Sequence, residues 1–141
     1  MKLRTVLKVP AQLADVDAAS SRLRIEAAGV LDGDTLDRFE IATSEALTNI
    51  VRHAYADTND GEIAIELIED EGPSLLLVLR DRGSPAPPGT FDRPPERTAD
   101  EDAIDVIPET GWGIGLLHQC ADAVHFASID GRNELRLQFR A

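Results

Sequence analysis

The sequence has little cysteine, little lysine and no long apolar run. Cys120 is the single cysteine among 141 residues, so no disulfide can form within the chain. The longest uninterrupted apolar stretch, residues 75–79, is far shorter than the roughly 20 residues that span a membrane. The first residues alternate in polarity and contain no signal-peptide core. These absences exclude a membrane protein and a disulfide-stabilised secreted protein, and we expect a cytoplasmic location.

Positive charge is also scarce. The chain carries 14 Lys and Arg residues against 26 Asp and Glu residues, a formal net charge of −12. A field of this sign repels nucleic-acid backbones and anionic lipid, so neither is expected as a direct partner. A basic protein surface, or a small ligand that arrives with a metal cation, fits the charge better. With 43% hydrophobic residues, the chain is expected to fold as a single domain over residues 1–141.

Hydropathy patterns predict an α+β fold. Strands alternate with a period of two and helices show apolar residues three or four apart. Strands and helices come in groups, which favours a two-layer α/β sandwich with a mixed, mostly antiparallel sheet and helices on one face. The predicted elements are a strand over 2–9 with Leu3, Thr5, Leu7 and Val9 inward, helices over 11–28 and from 34 or 35 to 55, strands over 62–67 and 75–79, a helix over 114–122, and a hairpin of 124–129 and 134–139.

Residues from about 84 to 112 have a different composition. They are rich in proline and acidic residues and show little apolar periodicity. A stretch of this length without regular structure is usually a functional lid or a disordered segment.

Three polar residues lie four positions apart in the second predicted helix. Glu45, Asn49 and His53 share one stripe at the edge of its apolar face. A glutamate can act as a general base, and an amide oxygen is a good ligand for a hard metal ion. A solvated polar stripe is the alternative explanation of this motif taken alone.

Two further motifs contain glycine. Asp81 and Gly83 directly follow the apolar strand, where a carboxylate can accept a hydrogen bond from an exocyclic amine; an ordinary strand-ending turn also explains this pair. Gly111, Gly113 and Gly115 then precede or begin the third predicted helix, where exposed backbone N–H groups suit phosphate. This spacing is neither a dinucleotide-binding fingerprint nor a P-loop.

Taken together and in order, the three motifs resemble those of the GHKL (Bergerat) ATP-binding fold found in histidine-kinase catalytic domains, gyrase, Hsp90 and MutL. Within that fold, the sequence is most similar to the anti-sigma-factor serine/threonine kinases of the RsbW/SpoIIAB-like group. Residues 45–55 match the N box of that group, including its trailing His-Ala-Tyr. Residues 81–83 match the G1 box, and residues 111–116 match the G2 box.

The resemblance implies a site for ATP and Mg²⁺ beneath a lid. It makes Glu45 the catalytic residue, which orients or deprotonates the attacking hydroxyl, and Asn49 the Mg²⁺ ligand. Asp81 would accept the adenine amino group. The complete nucleotide-binding set that it implies is Asn49, His53, Asp81, Gly83, Gly111, Gly113, Gly115 and Leu116.

The resemblance also implies partners. The hydroxyl would belong to a STAS-type anti-anti-sigma protein, a sigma factor would bind the same chain, and a homodimer is compatible with the group. The alternative is a non-catalytic ATP-binding or nucleotide-independent regulator that sequesters a protein partner. A detached histidine-kinase catalytic domain fits less well, because that group usually carries a longer lid with an additional glycine-rich box.

Overall fold

A computed structural model describes residues 1–93 and 112–141. Five strands and three α-helices occur in these ranges, together with one π-helical segment. In chain order they are β1 (Lys2–Pro10), α1 (Leu13–Ala27), α2 (Gly33–Asn49), the π-helix Ile50–Ala54, β2 (Glu62–Asp70), β3 (Ser74–Asp81), α3 (Ile114–Cys120), β4 (Ala123–Ile129) and β5 (Arg132–Arg140).

The five strands form one sheet in the order β1-β2-β3-β5-β4. All four pairings between the described strands are antiparallel, and the expected α+β sandwich with a mostly antiparallel sheet is confirmed. The helices cover one face, with α1 against β1, α2 against β5 and α3 against β4. No helix in the described ranges is long and apolar enough to cross a membrane.

The core lies between the sheet and the helices, as the strand alternation predicts. Alternate residues of the central strands are fully buried there, and Phe39 of α2 meets Phe139 of β5 edge-on at 5.0 Å. The opposite face of the sheet carries charge, and Arg80 bridges Glu66 and Glu134 across three strands. One face is therefore apolar and the other polar, which fixes the register of the central strands. The buried apolar side chains that the central strands direct toward the helices are Ile63, Ile65, Leu67, Leu75, Leu77, Leu79, Leu135, Leu137 and Phe139.

The first strand differs from its prediction at one position. Thr5 is buried as expected, but Leu3 is exposed. The pairing of β1 with β2 shifts register between these two residues. Such an irregularity bends the strand locally and breaks the alternation of faces, so Leu3 does not share the inward face of Thr5. Strict alternation therefore fails at Leu3.

The second helix differs at its end. An uninterrupted helix to Tyr55 was predicted, but the α-helix ends at Asn49 and a π-helical turn follows. The N–H of Tyr55 bonds to the carbonyl of Ile50, five residues earlier, at 3.0 Å. A π-turn of this kind inserts one extra residue into a helix and often marks a functional site.

The final hairpin agrees with its prediction. Asp130 and Gly131 both have positive φ, 52° and 76°, as a two-residue hairpin turn requires. This turn brings β4 and β5 together beside the end of β3, so that side chains from all three strands meet at one corner of the sheet.

Candidate nucleotide site

A buried carboxylate lies at that corner. Asp81 ends β3, and only 7% of its surface is exposed. Its Oδ1 accepts the backbone N–H of Gly83 at 2.9 Å and the Nδ2 of Asn133 at 2.8 Å. Burial raises the pKa of this carboxyl group, and the hydrogen bonds from Asn133 and Gly83 partly oppose the rise. The sequence-based prediction of a carboxylate at the end of a central strand is thus matched by its position.

Asn133 stands opposite Asp81 in the pairing of β3 with β5. Its Nδ2 also donates to the carbonyl of Gly83 at 2.9 Å, and its Oδ1 accepts the hydroxyl of Ser128 at 2.7 Å. A chain of hydrogen bonds therefore runs from β4 through β5 to the end of β3. Sequence reasoning missed Asn133 and Ser128. Asn133 has the same inward parity as Leu135, Leu137 and Phe139, and a polar residue at such a position was the signal available.

The π-helix places its last residue against Gly83. A Cβ on Gly83 would collide with the carbonyl of Ala54, and that carbonyl accepts the N–H of Ser84 at 2.7 Å. Glycine is therefore required here for close packing of two backbone segments. This close packing requires glycine at position 83 whether or not a nucleotide binds beside it, and the sequence pattern did not indicate it.

Tyr55 connects the same segments. Its hydroxyl donates to the carbonyl of Glu62 and accepts the N–H of Arg82, both at 2.9 Å. Its ring lies so close to Gly61 that a Cβ there would meet ring carbons. One side chain thus fastens the end of the π-helix to the start of β2 and to the loop after β3, a role that the matched His-Ala-Tyr did not reveal.

The second part of the site lies where α2 meets the start of α3. Gly113 has φ +60°, and a Cβ there would collide with the carboxylate of Glu45. Asn49 is 4% exposed, and its Nδ2 donates to the carbonyl of Trp112. Two of the predicted residues of α2 are thus in contact with the predicted glycine-rich segment, which is the juxtaposition that the motifs require.

Aromatic side chains close the space between these two parts. The imidazole of His53 stacks on the indole of Trp112, with centroids 4.1 Å apart, and Phe91 stacks on Phe126 at 4.7 Å. Phe91 also meets Trp112 edge-on at 5.7 Å, while its carbonyl lies 2.9 Å from Nε2 of His118.

The cavity that remains is small, about 20 Å³, and has room for roughly one water molecule. Its lining includes Asn49, Asp81, Asn133, Phe91 and Trp112. A purine ring therefore does not fit beside Asp81 without a rearrangement of the lining. Phe91 and Trp112, two of the lining residues, border the segment 94–111.

Gly115 and Leu116 lie in the first turn of α3. A Cβ on Gly115 would meet nothing within 4 Å, so the packing within the described residues does not require glycine there. Leu116 is partly exposed and lines an open groove of about 440 Å³ together with Glu45 and Ile41. Gly111 and most of the predicted lid lie outside the described residues.

The described part of the site contains no cluster of side chains that would hold a metal ion without a ligand. No group of three or more His, Cys, Asp or Glu side chains that could hold one occurs in residues 1–93 and 112–141. The oxygen-bearing side chains Asn49 and Glu45 nevertheless suit Mg²⁺, which is usually bound by one or two protein oxygens plus substrate phosphates. The Nδ2 of Asn49 donates a hydrogen bond to the carbonyl of Trp112. The amide oxygen of Asn49 is therefore the atom that could coordinate Mg²⁺.

Comparison with known proteins decides the family. The model of the histidine kinase-like ATPase domain matches residues 9–139, nearly the whole chain. The chain belongs to this family. The resemblance inferred from the three motifs is therefore confirmed at the level of the family.

Curated relatives carry the name serine-protein kinase RsbW. The protein from Staphylococcus aureus is 33% identical over 131 residues, which cover 84% of this chain and 75% of that protein. The protein from Bacillus licheniformis is 34% identical over 100 residues, covering 65% and 57%. A third, from Bacillus velezensis, is 31% identical over 103 residues. The chain thus spans 57% and 61% of the two Bacillus relatives.

Solved structures support the fold. The structure of the RsbU and RsbW domains of Rv1364c from Mycobacterium tuberculosis matches with a TM-score of 0.66, covering 96% of this chain and 32% of that one. A blue-light activated histidine kinase from Erythrobacter litoralis matches with a TM-score of 0.55 over 93% of this chain and 61% of that one. Both are 17% identical to it, so they show a shared fold.

Proposed function

We propose that this chain is an ATP-dependent serine/threonine protein kinase that also acts as an anti-sigma factor. Membership of the histidine kinase-like ATPase family implies use of ATP. The observation that carries the proposal is the contact between Glu45 and the glycine-rich start of α3, because it supports a carboxylate beside the segment that we propose to bind phosphate. The relatives named serine-protein kinase RsbW support phosphoryl transfer to a hydroxyl group.

The adenine end is assigned to Asp81. Its Oδ1 is engaged by Gly83 and Asn133, and its Oδ2 receives no hydrogen bond from the described residues. Oδ2 is therefore the atom we expect to accept the adenine amino group. Gly83 allows the backbone to approach closely beside it, and His53 borders the site through its stack on Trp112.

The phosphate end is assigned to α2 and the start of α3. Glu45 orients or deprotonates the attacking hydroxyl, and the amide oxygen of Asn49 holds Mg²⁺. When bound, Mg²⁺ supplies neutralisation of the phosphate charge. The backbone N–H groups of Gly111, Gly113 and Gly115 are proposed to surround the phosphates, with Leu116 beside them.

Catalysis of this kind depends on positioning and charge, with little covalent chemistry for the protein. Glu45 must lie near the hydroxyl of the protein substrate and near the phosphates at the same time. The open groove that Glu45 lines with Leu116 and Ile41 leaves its carboxylate reachable from outside the nucleotide cavity. That access supports a macromolecular phosphoacceptor.

The partners are proposed from the family. The phosphoacceptor is a Ser or Thr of a STAS-type anti-anti-sigma protein, and a sigma factor is the second, alternative partner, in a cytoplasmic cycle that includes a homodimer. The net charge of −12 supports basic protein surfaces as contacts. DNA is not proposed as a direct partner, for the same reason.

Phosphoryl transfer to a STAS-domain protein, followed with labelled Mg-ATP, tests the proposal. Wild-type chain should transfer phosphate, and EDTA should stop the reaction. Glu45→Ala should lower the transfer rate by about 10²- to 10⁴-fold while ATP affinity changes little. If the wild type binds ATP and captures a sigma factor but phosphorylates no STAS partner, the alternative of a non-catalytic regulator is correct.

A further inference from the structure

Asn133 is a buried amide beside Asp81 whose three hydrogen bonds the proposed function does not use. It is 2% exposed and occupies an inward position of β5, where the other members are Leu135, Leu137 and Phe139. A buried amide is costly unless its hydrogen bonds are made. Here both donors of Nδ2 and one acceptor position of Oδ1 are used. The amide is thus fixed in one orientation.

These hydrogen bonds fix the orientation of the Asp81 carboxylate. Asn133 and Gly83 both donate to Oδ1, so that oxygen faces the protein. The carbonyl of Gly83 can only accept, so the amide of Asn133 presents nitrogen, and not oxygen, to Gly83 and Asp81, and its oxygen accepts the hydroxyl of Ser128. Since both donors of Nδ2 are engaged by Asp81 and Gly83, Asn133 has no hydrogen left for a ligand.

We propose that Asn133, held by Ser128, is a positioning residue that orients Asp81, keeps it ionised and thereby makes the site select a 6-amino purine over a 6-oxo purine. The proposal deepens the proposed function and rests on it. An ionised carboxylate accepts a hydrogen bond from an amino group, whereas it repels the carbonyl oxygen of a 6-oxo purine. The discriminating atom would be Oδ2 of Asp81.

The charge state of Asp81 depends on these neighbours. Asp81 is the one ionisable group among the residues that line the cavity, in the part of the chain that the structure describes. The titratable or charged groups that border the cavity are Tyr55, whose hydroxyl is engaged by Glu62 and Arg82, the exposed Arg82, and His53, whose imidazole stacks on Trp112 of the lining. Burial raises the pKa of Asp81, and the opposing influences are the hydrogen bonds from Asn133 and Gly83. Loss of Asn133 therefore favours protonation.

Two substitutions should give opposite pH profiles. In Asn133→Leu, Asp81 lacks its side-chain donor, so its pKa rises and selectivity should fall as the pH is lowered. In Asn133→Asp, the two carboxyl groups share a proton at low pH, and the protonated one can donate as the amide did. At higher pH both ionise and repel, so selectivity should fall as the pH is raised.

The measurement is the ratio of the dissociation constants of inosine triphosphate and ATP, determined by calorimetry between about pH 6 and pH 8. Both nucleotides carry the same triphosphate, so its titration cancels in the ratio. Each Asn133 variant should lose about tenfold in selectivity at its unfavourable pH. Ser128→Ala, at an exposed position, should lose about threefold and should fold normally.

Gln138→Leu is the matched control, because it makes the same amide-to-leucine change on β5 away from Asp81 and should leave the ratio unchanged. Profiles of the same sign in both Asn133 variants, or an unchanged ratio in folded Asn133→Leu, would overturn the proposal. If Asn133→Leu does not fold, Asn133→Asp and Ser128→Ala decide in the same way. Failure of the wild type to bind ATP would instead refute the proposed function, and this inference with it.

Discussion

The two ends of the candidate site are held in different ways. At the adenine end, Asp81, Asn133 and Ser128 lie on three adjacent strands, and their mutual hydrogen bonds measure 2.7–2.8 Å. At the phosphate end, Glu45 and Asn49 of α2 meet Trp112 and Gly113 across a single helix junction. The adenine end is therefore part of the sheet. The phosphate end lies between α2 and the residues that directly follow the segment 94–111.

This difference separates recognition from chemistry. A carboxylate held within a sheet keeps its orientation at little entropic cost, which suits selection of a base. A contact between a helix and a glycine with positive φ can change when a neighbouring segment moves, which suits a reaction that needs a second protein. Substitutions at the two ends should therefore have different consequences, and the following experiments test whether they do.

The largest effect on ATP affinity is expected at the adenine end. Asp81→Asn should weaken ATP binding by about 100-fold, because it removes a charged acceptor for the adenine amine. The measurement is the ATP dissociation constant by calorimetry. Asp70→Asn is the control. Asp70 is the last residue of β2 and pairs with Ser74, at the end of β3 that is distant from Asp81, so this variant should bind ATP normally. Unchanged affinity in Asp81→Asn would show that this carboxylate does not contact the base.

The same variant should not lose stability at neutral pH. Burial raises the pKa of Asp81 in the folded chain above its ordinary value of 3.8, so the ionised form disfavours folding. Protonated Asp81 favours folding. Its contribution to the unfolding free energy is fully present below the pKa of the unfolded chain and is lost as the pH rises through the raised pKa of the folded chain. Asp81→Asn should therefore match or exceed the wild type in unfolding free energy at pH 7, with a difference that shrinks on acidification. Urea unfolding of both proteins at pH 7 and at an acidic pH measures this difference.

The next largest effect is expected at the phosphate end. Gly113→Ala places a Cβ against the Glu45 carboxylate at a residue with φ +60°. Phosphoryl transfer should fall by about 30-fold, while affinity for adenosine, which lacks phosphates, stays within about twofold. Equal losses of adenosine binding and of transfer would contradict a separation of the two ends.

Gly131→Ala is the matched control for backbone strain. Gly131 also has positive φ, +76°, but a Cβ there would meet nothing within 4 Å. Both variants should lose about 1 kcal/mol of stability from the left-handed conformation alone. Because Gly131 lies in the β4–β5 turn, its substitution should leave phosphoryl transfer intact.

Gly115→Ala should have a smaller effect and tests whether a ligand needs this glycine. The position is helical, open and without positive φ, so alanine should stabilise α3 by up to about 1 kcal/mol. If the phosphates approach this backbone, ATP affinity should nevertheless fall by about fivefold. Increased stability with unchanged ATP affinity would remove Gly115 from the proposed phosphate-binding set.

The smallest effect on nucleotide binding is expected for Tyr55→Phe. The change removes a hydroxyl that serves Glu62 and Arg82 and leaves the Arg82 N–H without its partner. Unfolding free energy should fall by about 1–2 kcal/mol, with ATP affinity within about threefold of the wild type. A larger loss of affinity than of stability would mean that Tyr55 controls the site directly.

Much of this fold could be predicted because its apolar pattern is regular. Strands with Ile63, Ile65 and Leu67 on one side could only be buried in one register, and the Asp130-Gly131 turn fixed the last hairpin. The π-helix could not be predicted in this way. One inserted residue leaves the apolar spacing nearly unchanged, so periodicity extended the helix to Tyr55.

The candidate residues that belong to the three sequence motifs could be predicted, whereas those that join the site only through tertiary contacts could not. Glu45, Asn49, Asp81 and Gly113 followed from motif order, and the structure places them at two ends of one region. Phe91 and Phe126 did not, because stacking between residues distant in sequence depends on tertiary packing.

We propose that recognition of the base and phosphoryl transfer reside at separate ends of the site. Parallel measurement of ATP affinity and of phosphoryl transfer to a STAS-domain protein, in the wild type and in Glu45→Ala, tests it most directly. We predict that Glu45→Ala binds ATP within about threefold of the wild type and loses at least about 100-fold in transfer rate. Loss of ATP binding in step with transfer, or full transfer without Glu45, would contradict the account.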